Sequence, residues 1–168
     1  FARSVAAIAN FDLSVVDATV FTGQENKIFD TYTVLTSEGL PLPRDTNLRT
    51  ELARRIATAA IEIDLPIKST SRRLSRQLRE LPRPTKVQLK PTGDGKTSTL
   101  TIVANDRAGL LALIAELFVD LKLHLLSARI ATLGEIVEDT FLIQNEHFEP
   151  VDEGEQTYTQ KETIRQRI

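Results

Sequence analysis

A chain of 168 residues, 41% apolar and 26% charged, has the length of one domain or two small ones and a composition that excludes intrinsic disorder. Its 21 basic and 23 acidic groups leave a formal charge of −2, so no whole-chain field draws it to nucleic acid or to an anionic membrane. Without Cys there are no disulfides, thiol nucleophiles or thiolate metal sites, and two His, His124 and His147, leave little for imidazole chemistry.

In chain order, Phe1, Val5, Ile8 and Ala9 recur at helical spacing, so a helix is expected over residues 1–10. Residues 13–21 alternate as a strand, and a turn over 22–27 holding Gly23 and Asn26 leads to a strand over 28–35, the pattern of a hairpin. A second helix is expected over 46–63, with Asp45 or Thr46 as its N-cap and Leu48, Leu52, Ile56, Ala59 and Ala60 as its apolar stripe. Residues 66–84 are the compositional outlier, with Lys68, Arg72, Arg73, Arg76, Arg79 and Arg83 against the single acid Glu80. Leu74, Leu78 and Leu81 predict a short basic helix over 71–81, whose roles as solvated connector, polyanion patch or contact for an acidic partner stay open. Strands over 85–90 and 97–105 follow, joined by a turn at 91–95, then a helix over 109–120 and a strand over 123–130. A turn near Gly134, a strand over 137–143 and a helix over 157–168 complete the series.

The chain repeats itself. At a shift of 110 residues Ala2 falls on Ala112, Leu13 on Leu123, Ala18 on Ala128 and Thr22 on Thr132. One residue of slack then lays Asp30-Thr31-Tyr32 on Asp139-Thr140-Phe141. The expected architecture is α+β: two ferredoxin-like βαββαβ units in tandem, with antiparallel sheets and helices on one face. The first unit, residues 1–90 with the basic linker, lacks its first strand, and 85–90 can close it; the second, 97–168, ends inside its second helix. The chain starts at Phe1 and holds no Met, so a fragment, a processed piece or a sequence stripped of modified Met residues is expected.

Catalysis finds no support. A nucleophile needs a neighbouring base and an orienting group, and no such local set occurs. His124 on a strand, His147 in a polar loop and the acids Glu135, Glu138 and Asp139 beside a hairpin read as structural or solvated. Asp152-Glu153-Gly154-Glu155 lacks the spacing of a calcium loop, so neither catalytic nor metal-ligating residues are expected. No apolar stretch approaches the ~20 residues of a membrane helix and there is no signal peptide, which predicts a cytoplasmic protein without a membrane partner.

Residues 105–111, Asn105-Asp106-Arg107-Ala108-Gly109-Leu110-Leu111, join a strand to a helix. The unpaired amides and positive dipole end of that helix suit a carboxylate, Gly109 admits close approach, and Asp106 can accept from an ammonium group. A small amino acid carries both charges. The same residues also make an ordinary turn with Asp106 as a helix cap and no ligand, and both readings stand. An RNA-binding module shares the element order but needs strand aromatics, and aromatics are 5% of the chain with none in 97–105.

The pattern Asp106-Arg107-x-Gly109-Leu110-Leu111 after a strand resembles the ACT domain, a family of amino-acid-binding regulatory modules. The ordered set in both copies, residues 127–135 with Glu138-Asp139-Thr140-Phe141 and residues 16–22 with Asp30-Thr31-Tyr32, is similar to the C-terminal tandem ACT region of bifunctional uridylyltransferase/uridylyl-removing enzymes. That resemblance implies a glutamine sensor that controls upstream catalytic domains acting on the PII signal protein, with magnesium needed only by those domains and no cofactor here. It implies ligand contacts from Asn105, Asp106, Arg107, Gly109, Leu110 and Leu111. His124, and Ser14 in the first copy, stand where family members often carry Asn. Pairing into a homodimer through ACT units, an ACT pair of another amino-acid-metabolic enzyme and a ligand-free dimerisation module are further expectations.

Overall fold

A computed structural model describes residues 1–22, 28–36, 38–62, 84–107, 109–133, 136–151 and 155–168. The helix expected over 71–81 and the turns at 23–27 and 134–135 lie outside the described residues. The elements are α1 Ala2–Asn10, β1 Leu13–Thr22, β2 Ile28–Thr36, α2 Thr46–Ile61, β3 Lys86–Pro91, β4 Ser98–Asn105, α3 Leu110–Asp120, β5 His124–Leu133, β6 Ile136–Gln144 and α4 Glu155–Arg167.

The duplication is written into the backbone. Each of α1 and α3 hands over to its strand through a left-handed residue, Asp12 at φ 58° and Lys122 at φ 53°. In each the N–H closes on the carbonyl three residues back, Ala9 and Val119, at 3.1 Å. Non-glycine residues adopt this region sparingly, so its recurrence 110 residues apart marks one inherited turn. The strand pairings are each interrupted by one extra residue at the same place, Val16 between Val15 and Asp17 and Leu126 between Leu125 and Ser127. Ala18 then faces Tyr32 as Ala128 faces Phe141, which reproduces the slack seen in the sequence.

The two units merge into one antiparallel six-stranded sheet of order β2-β1-β5-β6-β4-β3. Where β1 meets β5, Asp17 faces Ala131 and Phe21 faces Ser127, each pair the image of the other under the 110-residue shift. Thr19 faces its own counterpart Arg129, so a local two-fold axis passes between them. The expectation that residues 85–90 close the first unit is not met. β3 pairs with β4 in the hairpin foreseen at 91–95, which places it at the far edge of the sheet beside the second unit. Asp94 holds that turn by accepting from the Lys96 and Thr97 amides and the Thr92 hydroxyl, which keeps its carboxyl far below the usual range.

Burial follows strand count. In the second unit Leu100, Ile102, Ile114, Leu117, Phe141 and Ile143 are fully enclosed, with Phe118 edge-on to Phe141 at 4.9 Å. Val5 of α1 packs with Ala112 and Ala115 of α3, and the small alanines let the helices of the two units approach. Helix α2 forms as predicted, with the Asp45 carboxylate accepting from the Asn47 and Leu48 amides at 2.8 and 3.1 Å. No residue of it is buried, and Leu48 is 50% exposed.

Candidate functional site

A cleft opens where the end of β4 and the start of α3 in the second unit face α1 and the start of β1 in the first. Asp106, Arg107, Gly109, Leu110 and Leu111 form one wall; Ile8, Ala9, Leu13, Ser14 and Val15 form the other. Five of the six residues expected from the 105–111 corner are therefore brought together with Ser14, whereas Asn105 is not among the lining residues. The enclosed space is about 30 Å³, room for about two waters.

Gly109 is the N-cap of α3 at φ 81°, the left-handed region that favours glycine, and no side chain caps the helix. Asp106 thus does not act as the cap that the sequence allowed. The Arg107 carbonyl accepts from the Leu110 amide at 3.1 Å to close the turn, while its guanidinium Nη2 donates to the Ile168 carbonyl at 2.9 Å. The amides of the first turn of α3 and its positive dipole end belong to the wall of the cleft.

Asp139 on β6 lies in the same cleft, although its place beside the hairpin predicts a solvated flank. It is 1% exposed, and among the described residues its Oδ1 has no hydrogen-bond partner. Burial raises its carboxyl to about 7; the nearby Asp106 charge adds to this, and the Ala131 amide bound to the carboxyl opposes it. Burial pushes the Asp106 carboxyl up as well. The alternation Val137, Asp139, Phe141, Ile143 was the available signal, since it puts the acid in phase with buried residues. Its repeat counterpart Asp30 also has an unpartnered Oδ1, while its Oδ2 accepts from the Tyr32 hydroxyl at 2.8 Å.

His124 is not part of the cleft. Its ring stacks on Phe148 at 4.2 Å and an interplanar angle of 16°. His124 is the counterpart of Ser14 and lies at the position that the local two-fold relates to it. His147 sits in a loop whose Asn145 side chain accepts from the His147 and Glu149 amides. Among the described residues no cluster of His, Asp and Glu is placed to hold a metal, and no helix is long and apolar enough to cross a membrane. A wider groove of about 470 Å³ lies beside α2, between Phe11, Leu40, Leu48 and Leu52.

No family model matches the chain, and no solved structure does. Curated relatives do, all with the name bifunctional uridylyltransferase/uridylyl-removing enzyme. The protein of Stutzerimonas stutzeri is 34% identical over 151 residues, 90% of this chain and 17% of the relative. That of Azotobacter vinelandii is 35% identical over 156 residues, 92% and 17%. That of Pseudomonas entomophila is 34% identical over 170 aligned positions, 100% and 19%. The chain therefore spans less than a fifth of the length of these relatives. Its six-stranded sheet, built from two repeated α+β halves, is compatible with tandem ACT units. The chain is thus similar, over nearly its whole length, to a C-terminal segment of bifunctional uridylyltransferase/uridylyl-removing enzymes.

Proposed function

We propose that this chain is an ACT-type amino-acid-sensing regulatory region, with glutamine as its ligand, in a protein whose catalytic domains attach UMP to the PII signal protein and remove it. The observation that carries the reading is the placement of the uncapped α3 N-terminus against Ser14 of the other unit. A ligand there touches both units at once. The cleft as it stands holds about two waters, and glutamine is larger, so binding and a shift of one unit against the other become a single event. Differential affinity for the opened arrangement moves the population, and the catalytic domains feel it as a coupling of typically ~1–3 kcal/mol. On this reading magnesium belongs to the catalytic domains, and the sensor works in the cytoplasm, with PII reached through the rest of the protein and homodimers formed through ACT pairing.

Calorimetry on the full-length protein tests it. L-Glutamine should give saturable heat, and Gly109→Val, which forces a side chain into a left-handed position at the wall, should abolish that heat. The same titrations should shift the balance of PII uridylylation and deuridylylation in the parent sequence but not in the variant. Absence of heat from glutamine removes the assignment; heat from a different amino acid transfers it to the ACT pair of another regulatory system.

A further inference from the structure

We propose that Asp139 receives the α-ammonium of the bound amino acid on its unpartnered Oδ1 while the first-turn amides of α3 take the α-carboxylate, so that the cleft selects zwitterions over carboxylates of the same skeleton. This rests on the reading of the cleft as an amino-acid site and names the group that makes it selective.

Three observations support it. The Asp139 carboxyl is 1% exposed, one side of it is held by the Ala131 amide, and Oδ1 faces no donor. A buried acceptor left without a donor is costly, and a ligand ammonium supplies the donor. Second, the cleft joins opposite characters: the dipole end of α3 and the carboxyls of Asp106 and Asp139 all line it. That pattern is the complement of an amino-acid backbone and repels a second carboxylate. Third, among the described residues no cation serves Asp139. Among the lining residues Arg107 is the one basic side chain, and its Nη2 is on the Ile168 carbonyl. Helix α1 presents Val5, Ile8 and Ala9, β1 presents Leu13, Ser14 and Val15, and the charged neighbours Arg129 and Glu138 lie on exposed positions of their strands.

The protonation state gives the inference a second signature. Burial and the Asp106 charge hold the Asp139 carboxyl near 7 in the free cleft, so near neutrality it is partly protonated. An incoming ammonium favours the charged form and expels that proton. Affinity should therefore rise with pH by up to about tenfold per unit below 7 and level off above it.

The test is calorimetry of the full-length protein with L-glutamine and with glutaramate, the same molecule without its ammonium, at pH values from 6 to 8. Glutaramate is expected to bind at least about tenfold more weakly, and Asp139→Asn to close most of that gap by weakening glutamine alone. Below pH 7 the heat should depend on the ionisation enthalpy of the buffer, reporting proton release. Equal affinities for the two ligands, or glutamine binding unaltered in Asp139→Asn, overturn the inference and leave the amino-acid site standing. If the variant does not fold, the glutaramate gap and the pH slope of the unaltered protein decide. Glutamine giving no heat at all removes the site itself, and this inference with it.

Discussion

The two units carry the same local instructions and reach different degrees of burial. Both have the left-handed residue after the first helix, the extra residue in the hairpin ladder and an aspartate with a bare oxygen on the inner face. In the second unit four strands, β5, β6, β4 and β3, lie beneath two helices, and its core side chains are enclosed. Among the described residues the first unit contributes two strands, β1 and β2, and α2 buries no residue. Turns and bulges are decided within a few residues, whereas a helix is buried only when strands exist for it to cover.

That contrast can be broken most sharply at the matched aromatics. Phe141→Ala should cost about 3–5 kcal/mol in chemical denaturation, the toll of emptying a packed ring site. Tyr32→Phe, at the equivalent position of the first unit, should cost about 1 kcal/mol through the lost bond to Asp30. Similar losses at the two positions would show that the first unit is as tightly built as the second.

The buried aspartate of the second unit sharpens the comparison through pH. Its folded value near 7 lies above the ordinary carboxyl value, so the neutral form is the one that the fold favours. Its contribution is complete below pH ~4 and is lost as pH rises toward 7, a fall on the order of 4 kcal/mol. Asp139→Asn should flatten the stability–pH curve in that window. A curve unchanged by the substitution would mean that the carboxyl is not held neutral. The most local effect is expected at α2: Asp45→Ala removes the cap and should cost about 1 kcal/mol, detected as faster amide exchange confined to residues 46–61.

Much of this was legible from the chain. The repeat, its slack and the Asp45 cap all rest on short-range spacing, and the structure reproduces them. The corner at 106–111 was also readable, because a strand followed by Gly and a helix has few geometries. What escaped was the joining of the units. Sheet edges carry no mark of their partner, so the β1–β5 seam could not be read, whereas the β3–β4 hairpin could; what the hairpin did not reveal is that β3 lies at the edge of the sheet away from β1 and β2. The resemblance puts His124 in the ligand site, at a strand position where family members often carry Asn, whereas its ring stacks on Phe148 away from the cleft. Asp139 was missed because acids near a turn are usually wet; its phase with Val137 and Phe141 was the better guide.

The pair at the centre of the seam has a consequence for how such a module can change over time. When two separate identical chains associate about an axis, the residue on the axis meets a copy of itself, and an arginine there would oppose an arginine. Linking both halves in one polypeptide frees that position, so Arg129 is met by the small neutral Thr19. Ser14 and His124 have parted company in the same way. A fused pair can thus specialise one flank and leave the other behind, which a symmetric assembly cannot do.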